Sequence, residues 1–221
     1  MTPPTATTSA PKTSFRSVKD RTYAEQYMMD EQLAMDRRKA RIDRVEQAIV
    51  GRLIDALPPD STVADVPSGN GRMTHLVQRP DLKVLALDFN HSMLVAMAGR
   101  GDLPLRATRA QADITALPLP DNCVDLFINM RLMHHIPDRP TQVRMCRQMV
   151  RVTRGRVVTS FWTTHCWRHL RKRVLGKKVR AYPVSPGYLR SICAEAGLAV
   201  KCIIPVHRWY EDECVAICEV A

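Results

Sequence analysis

Residues 65–72 read Asp-Val-Pro-Ser-Gly-Asn-Gly-Arg and carry the strongest structural signal in the chain. They follow an apolar run and form a tight turn with few side chains, where a predicted strand should meet a helix. Gly69 and Gly71 permit positive φ angles and let a ligand approach the backbone closely, and the N–H groups that open the following helix point toward it. The pattern predicts a cradle for a nucleotide-like ligand, although an ordinary tight turn gives the same Gly-x-Gly spacing.

The composition predicts one globular domain with an appendage. The chain has 221 residues, of which 45% are hydrophobic, and this is enough for a sizeable core. Its seven cysteines are odd in number and lack Cys-x-x-Cys spacing, which argues against a disulfide framework and a zinc knuckle. No apolar run approaches the ~20 residues that span a bilayer, and residues 1–19 lack the apolar core of a secretory signal. We therefore expect a cytoplasmic protein with a disordered tail over residues 1–19, a transit peptide being the alternative for that tail.

The positive charge is concentrated in one region. Residues 139–194 contain fourteen Arg and Lys and no Asp or Glu, whereas the rest of the chain has 19 basic and 22 acidic residues. The net charge of +11 therefore belongs to this acid-free region. If the protein has an acidic partner, the partner should meet it there.

Hydrophobic periodicity predicts strands that alternate with helices. The predicted strands cover residues 61–66, 83–87, 106–112, 123–129, 156–161, 198–205 and 213–220, and the predicted helices lie within 20–57 and over 72–77, 91–98, 140–152 and 185–197. This alternation predicts an α/β fold with a doubly wound, mostly parallel sheet and helices on both faces. The last two strands should pair as an antiparallel hairpin. In such sheets a ligand lies beyond the carboxyl ends of the strands, at the switch point beside the first strand.

The predicted organisation has three parts. Residues 1–19 form the tail, residues 20–57 form an N-terminal helical cap, and residues 58–221 form the main domain. A basic insert at about residues 162–184 lies within that domain.

Two further carboxylates follow predicted strands. Asp88 comes 23 residues after Asp65, where an acid can accept hydrogen bonds from both ribose hydroxyls of a nucleoside. Asp113 follows the third strand, where a carboxylate can accept from the exocyclic amine of adenine. Solvated or helix-capping aspartates are the structural alternatives at both positions. A dinucleotide fold would have a third glycine at position 74, where this chain has Thr74.

The next segment carries a family resemblance. Residues 117–129 read Leu-Pro-Leu-Pro-Asp-Asn-Cys-Val-Asp-Leu-Phe-Ile-Asn, and residues 132–136 read Leu-Met-His-His-Ile. With the upstream turn and acids, this succession resembles the class I, seven-stranded S-adenosylmethionine-dependent methyltransferases, particularly the small-molecule and quinone-biosynthesis subgroup with a methyltransferase type 11 domain. The resemblance covers roughly residues 63–161 and the terminal hairpin.

The resemblance implies an antiparallel last strand inserted into the sheet and a bound S-adenosylmethionine. Asp65 would orient the glycine loop and the amino group of the cofactor, and Asp88 would hold its ribose. The other implied cofactor contacts are Pro67, Ser68, Gly69 and Gly71 under the methionine, Asn129 and Met130 beside it, Phe89, Asp113 and Ile114 near the adenine, and Tyr23 and Tyr27 over the cofactor. Pro67 and Ser68 depart from the usual Gly and Cys of the family, and Pro67 requires that its position not need a positive φ. Simple packing of the N-terminal helix is the alternative role for the two tyrosines.

His134 and His135 are the candidate catalytic residues. They stand closest to the place where an acceptor would meet the methyl group, and histidine titrates near neutrality, so either is a candidate base. A packed or loop-orienting histidine is the structural alternative for both.

The basic insert resembles the lid that this fold often places over the acceptor. Its candidate acceptor contacts are Arg168, Arg171, Lys172, Arg173, Lys177, Lys178, Arg180 and Tyr182. The charges suggest an anionic acceptor, RNA or a lipid headgroup at a membrane surface, and a solvated basic face without a partner is the alternative.

The sequence thus predicts an S-adenosylmethionine-dependent methyltransferase that acts on a small, anionic or lipid-like acceptor without a metal ion. An RNA methyltransferase acting on tRNA or rRNA is the second reading, and a non-catalytic cofactor-binding subunit is the third. The acceptor atom and the oligomeric state stay open.

Overall fold

The computed structural model describes residues 37–104, 107–175, 182–206 and 212–221. The predicted tail, Tyr23, Tyr27, Lys177, Lys178 and Arg180 lie outside the described residues. Residues 37–55 of the predicted N-terminal cap are helical. The boundary between the cap and the main domain at residue 58 stays a prediction.

A seven-stranded sheet forms the centre of the molecule, in the order β3-β2-β1-β4-β5-β7-β6. The strands are β1 (Thr62–Asp65), β2 (Lys83–Asp88), β3 (Ala107–Gln111), β4 (Val124–Asn129), β5 (Thr153–Trp162), β6 (Leu198–Pro205) and β7 (Glu213–Val220). The first five strands are parallel, and β7 lies antiparallel between β5 and β6. The predicted doubly wound sheet and its inserted antiparallel last strand are therefore confirmed. The chain reverses direction across the sheet between β1 and β4, and this is the switch point where the carboxyl ends of parallel strands leave a crevice.

The described α-helices begin at side-chain caps or prolines where the sequence supplies them. They are α1 (Arg37–Asp55), α2 (His91–Ala98), α3 (Arg139–Val152), α4 (Trp167–Val174) and α5 (Pro186–Glu195). Ser185 caps α5 by accepting a hydrogen bond from the Tyr188 N–H, and Asp138 caps α3 in the same way through the Thr141 N–H. The chain leaves α5 through Gly197 at a φ of 85°. The boundaries of α3 and α5 agree with the predicted ones.

The helix predicted over residues 72–77 is wrong. The chain makes only a short 3-10 turn, Thr74–Leu76, before the next strand. Pro80 explains the difference, because it disfavours helical backbone at Arg79 and cannot donate a hydrogen bond to a preceding turn. The glycine loop therefore does not lead into an α-helix, and the loop's own backbone must supply the donors for any ligand.

Apolar side chains fill both faces of the sheet. In β4, Phe127 packs on one face with α3 and α5, while Leu126 and Ile128 pack on the other with α1. This division follows from the alternation of side chains along a strand. The predicted helices on both faces are thus confirmed, and the crevice at the switch point rests on a packed core.

Gly155 makes an unusually close approach between two strands. It lies in β5 at a shift in register with β4. Val124 pairs with Thr153 before the shift, and Leu126 pairs with Arg156 after it. A Cβ atom at residue 155 would stand 2.1 Å from the backbone oxygen of Asp125. Backbone cannot move aside as a flexible side chain can, so a glycine is required here.

We expect Gly155→Ala to destabilise the fold by about 1–3 kcal/mol, because an added methyl group must push the two strands apart. For a domain of this size the melting temperature should fall by roughly 2–4 °C per kcal/mol, as measured by thermal unfolding. Gly51→Ala is the matched control, since residue 51 lies in α1 with no atom within 4 Å of its added Cβ. That variant should be neutral or slightly stabilising. Equal melting temperatures for the two variants would contradict the steric argument.

Candidate active site

The glycine loop is fixed between β4 and β2 by backbone hydrogen bonds. The Val66 N–H donates to the Ile128 oxygen at 2.8 Å, and the Ser68 N–H donates to the Leu87 oxygen at 2.8 Å. Within the loop, φ is positive only at Gly69 (55°) and Gly71 (91°), and the Val66–Pro67 peptide bond is cis. Pro67 therefore stands at a position that does not need a positive φ. The departure of Pro67 and Ser68 from the family pattern is compatible with the loop geometry.

Asp65 is a buried carboxylate at the end of β1. The Thr74 hydroxyl donates to its Oδ2 at 2.6 Å, and no partner for Oδ1 is found among the described residues. Burial raises the pKa of Asp65 to about 7, against the opposing effects of the Thr74 hydrogen bond and the positive charge of Arg72. Thr74 occupies the position that a dinucleotide fold gives to glycine, and its hydroxyl orients Asp65. The sequence showed that residue 74 departs from the dinucleotide-binding pattern, but it did not reveal the contact between Thr74 and Asp65.

Asp88 ties the loop to the end of β2. Its Oδ2 accepts the Gly69 N–H at 2.7 Å, and its Oδ1 accepts the Asn90 N–H at 2.7 Å. The side chain is buried, and this burial raises the pKa of its carboxyl group despite the two hydrogen bonds. Each carboxylate oxygen can accept a second hydrogen bond. Asp88 can therefore fix the loop and still accept hydrogen bonds from a pair of hydroxyl groups.

The residues predicted to surround the adenine lie beside Asp88. Phe89 is 43% exposed, and its carbonyl accepts the Gln111 side-chain amide at 2.8 Å. Asp113 is half-buried, and its Oδ1 accepts both the N–H and the hydroxyl of Thr115 at 2.8 Å. Ile114 packs against the core next to it. The structure thus brings these three residues together at the carboxyl ends of β2 and β3, with Asp113 also shaping its own turn.

Asn129 and Met130 are placed differently from the prediction. The Asn129 side chain is fully buried, donates to the Val66 oxygen at 2.7 Å and accepts the Thr159 hydroxyl at 2.9 Å. Met130 is buried in the core cluster beneath α1. Because the polar groups of Asn129 already bond to β1 and β5, its side chain positions the glycine loop from behind instead of lining the crevice.

An aromatic stack closes the other end of the crevice. The His134 ring lies parallel to the Trp162 ring, with centroids 4.2 Å apart and an interplanar angle of 11°. Burial, together with the neighbouring His135 and the charge of Arg131, lowers the pKa of His134 to about 3. His134 Nδ1 is buried and has no partner in the described part of the chain. The ring of His134 is therefore neutral at physiological pH.

His135 is the more accessible of the two histidines. Its ring centroid is 4.2 Å from that of His134, and its side chain is exposed. Partial desolvation lowers the pKa of His135, and this keeps its ring neutral near pH 7.

The basic insert starts and ends next to this stack. Thr163 and Val184 form an isolated bridge, the Val184 N–H donates to the Trp162 oxygen at 2.8 Å, and the Tyr182 N–H donates to the His134 oxygen at 2.9 Å. Tyr182 and Arg171 are exposed. Of the other lid candidates, Arg168, Lys172 and Arg173 lie in α4, whose backbone alone is described at these positions. The predicted lid segment thus leaves and rejoins the domain beside His134.

Comparison with known proteins gives a consistent assignment. A family model described as a methyltransferase domain matches residues 63–155. Two probable S-adenosylmethionine-dependent methyltransferases from two strains of Mycobacterium tuberculosis are 28% identical over 142 residues, covering 63% of this chain and 47% of each relative. The chain thus spans about half the length of these relatives.

Solved structures show the same fold. Magnesium protoporphyrin IX methyltransferase from Synechocystis, with bound SAH, superposes with a TM-score of 0.74 at 14% identity, over 92% of this chain and 96% of that one. A riboflavin-derivative dimethyltransferase from Streptomyces davawensis superposes with a TM-score of 0.67 at 14% identity, over 92% of this chain and 61% of that one. Residues 63–155 therefore match a methyltransferase domain, and the chain shares the fold of these solved methyltransferases.

An ion cluster joins α1 to the end of the glycine loop and to the residue that follows Met130. Glu46 is fully buried and accepts Arg72 at 2.8 Å and Arg131 at 2.7 Å, and Asp43 accepts the same two guanidinium groups at 2.7 and 3.1 Å. Arg72 ends the glycine loop, and Arg131 follows β4 at a φ of 57°. Sequence reasoning missed these four residues, because the acids lie 26 to 88 positions from the arginines.

Glu213 extends this cluster to the aromatic stack of His134 and Trp162. Its Oε2 accepts the Trp162 indole N–H at 2.6 Å, while no partner for Oε1 is found in the described ranges. Burial and the neighbouring charge of Glu46 raise the pKa of Glu213 to about 8, against the opposing charge of Arg131. Glu213 is therefore mostly protonated at neutral pH and holds Trp162 against His134.

The described residues contain no group of three or more His, Cys, Asp and Glu side chains that could hold a metal ion. In the same residues, no helix combines the length and the apolar character required to cross a bilayer.

We expect Glu213→Gln to raise the free energy of unfolding by on the order of 2 kcal/mol at pH 8. The folded protein keeps the Glu213 proton up to about pH 8, whereas the unfolded chain releases it near its ordinary pKa of 4.5. The wild type therefore loses stability as the pH rises from about 4.5 to about 8, and the variant should lose less. Urea unfolding at pH 5.5, 7 and 8 measures this difference. Glu219→Gln, on the surface of the same strand, is the control, and the same slope in both variants would contradict the assignment.

Proposed function

We propose that the protein transfers the methyl group of S-adenosylmethionine to a small, anionic or lipid-like acceptor. The observation that carries the proposal is the glycine loop held between two buried carboxylates, Asp65 and Asp88. This arrangement lies within residues 63–155, which match the methyltransferase domain. A cofactor with both a polar amino acid end and a ribose would use the two carboxylates together.

The polar groups at the loop fit such a cofactor. Asp65 Oδ1 and Ser68 Oγ are buried atoms with no partner among the described residues, and a buried polar atom without a hydrogen bond is costly. We propose that they face the amino acid end of the cofactor, directly or through water. Asp88 would accept the ribose hydroxyls with the lone pairs that its backbone contacts leave available.

The other predicted cofactor contacts are consistent with this orientation of the cofactor. Phe89 offers an exposed ring next to Asp88, while Asp113 and Ile114 border the same end of the sheet. These residues would receive the adenine. Tyr23 and Tyr27 remain proposals for the cover of the cofactor.

At the acceptor end, we propose different roles for the two histidines. The cofactor supplies an activated methyl group on a sulfonium, and transfer requires the acceptor atom to be held in line with it. His135, being accessible, is the candidate base where the acceptor must lose a proton. His134 stays neutral, is a weak base with a pKa of about 3, and would position the acceptor through its stack on Trp162.

The acceptor class is proposed from the insert next to His134. Residues 162–184 contain seven Arg and Lys and no acid, and the described ends of this insert lie beside His134, which favours an anionic group on the acceptor. Two structural neighbours are named for small-molecule acceptors, a magnesium protoporphyrin and a riboflavin derivative. Both considerations favour a small molecule, and no specific feature of the described residues favours RNA.

A cytoplasmic location is also proposed. All seven cysteines are free thiols in the structure, and Cys146, Cys193, Cys214 and Cys218 are buried in the core. Free thiols in this number are typical of proteins in a reducing compartment.

We expect the protein to bind S-adenosylhomocysteine, and Asp88→Ala to weaken this binding about 10–100-fold, measured by titration calorimetry. The variant loses charged hydrogen bonds to the loop and to the ribose, each of which contributes about 1.5–3 kcal/mol. Asp121→Asn is the control, because that acid pairs with Arg151 at the opposite end of β4. No binding by the wild type would overturn the enzymatic reading, and undiminished binding by Asp88→Ala would contradict the proposed contact between Asp88 and the ribose.

We expect methyl label from S-adenosylmethionine to enter the solvent-extractable small-molecule or lipid fraction of a cell lysate. His135→Asn should reduce this incorporation about 100-fold if its ring is the base, without changing the affinity for S-adenosylhomocysteine. Label that is sensitive to ribonuclease would overturn the acceptor class. Full incorporation by His135→Asn would show that no base is needed at that position.

A further inference from the structure

Helix α4 presents an exposed apolar face. Trp167, Leu170 and Val174 are 57%, 50% and 77% exposed. They are three and four residues apart, so they project from the same side of the helix. None of the described α4 residues belongs to either core cluster. We call these three side chains the α4 face.

Exposed apolar surface is concentrated at this end of the protein. Seven large apolar side chains are exposed among the described residues, and five of them lie within residues 167–182. Besides the α4 face, these are Leu175 and Tyr182. Single exposed apolar residues are common, but a contiguous set in one segment marks an interaction site.

The same helix is strongly basic. Its sequence, Trp-Arg-His-Leu-Arg-Lys-Arg-Val, has four Arg and Lys and no acid. The acid-free region extends well beyond it on both sides, and Lys177, Lys178 and Arg180 follow within a few residues. A partner of this helix must therefore combine negative charge with a medium that accepts tryptophan, leucine and valine.

A bilayer surface with anionic lipids has both properties. Short basic helices with a tryptophan-containing apolar face lie in the headgroup region, where the apolar side enters the acyl boundary and the cations meet lipid phosphates. RNA would satisfy the charges but would leave the aliphatic side chains of Leu170 and Val174 in water. The combination therefore favours lipid over RNA.

We propose that α4 docks the protein on an anionic membrane surface. The ends of the insert that carries α4 join the domain at Thr163 and Val184, beside Trp162 and His134. Docking through α4 therefore brings the acceptor end of the crevice next to the membrane, where a lipid-like acceptor would be reached without leaving the bilayer. The docking itself does not depend on methyl transfer.

Co-sedimentation with lipid vesicles tests the proposal on the full chain. The protein should bind vesicles of phosphatidylcholine with about 30% phosphatidylglycerol at least about tenfold more tightly than vesicles of phosphatidylcholine alone. Replacing Trp167, Leu170 and Val174 together by serine should reduce binding to the anionic vesicles at least about tenfold. Val95→Ser is the matched control, because Val95 is 59% exposed on α2, and its binding should equal that of the wild type.

A charge variant tests the electrostatic part of the docking, and the triple serine variant together with polyuridylate separates lipid from RNA. Arg171→Gln should weaken vesicle binding about fivefold, and added salt should weaken it further. Asp88→Ala should bind vesicles normally, so a failure of the cofactor site is distinguishable from a failure of docking. Unchanged vesicle binding by the triple serine variant would overturn the proposal. Binding to polyuridylate with no binding to either vesicle would also overturn it, in favour of RNA.

Circular dichroism and thermal melting complete the test. The α4 face has no place in the core, so the triple variant should melt within about 2 °C of the wild type. If it unfolds instead, the same side chains must pack inside the protein, and the docking surface would be disproved.

Discussion

The hydrogen bond from the Gly69 N–H to the Asp88 carboxylate is the contact on which the cofactor site depends. It joins the loop after β1 to the end of β2, and it fixes the loop in a conformation with two positive φ angles. The second oxygen of Asp88 accepts the Asn90 N–H, so the same carboxylate also sets the start of α2. One buried acid thus orients the loop, the following helix and its own remaining lone pairs toward the crevice.

Buried charge links this loop to the acceptor end. Glu46 binds the arginines that follow the glycine loop and β4, and its charge is close enough to Glu213 to help keep that carboxyl group protonated. Glu213 in turn holds Trp162, on which His134 stacks. Removing one member of such a cluster leaves an uncompensated charge in the core, which is more costly than the pair is stabilising. The cluster therefore fixes the relative positions of α1, the loop and the aromatic stack.

Sequence reasoning predicted the sheet well and the polar contacts poorly. Strand positions follow from local alternation, and the cap of α5 follows from Ser185 and Pro186, so both could be predicted. The helix after the glycine loop was predicted from apolar spacing, but Pro80 limits it to a 3-10 turn. Asn129 resembled a cofactor contact because it ends β4, yet its amide bonds to neighbouring strands. Whether the polar side chain at a strand end faces the crevice or bonds to a neighbouring strand depends on residues that are distant in sequence.

The sequence by itself determined the order of the strands, the place of the glycine loop and the acidic residues that end β1 and β2. These features depend on local spacing, which is written in the chain. Only the tertiary structure decided that Thr74 orients Asp65, that Glu46 and Glu213 share a buried cluster, and that α4 leaves an apolar face exposed. Burial, pKa and exposure arise from packing between segments far apart in sequence, so no local pattern could reveal them.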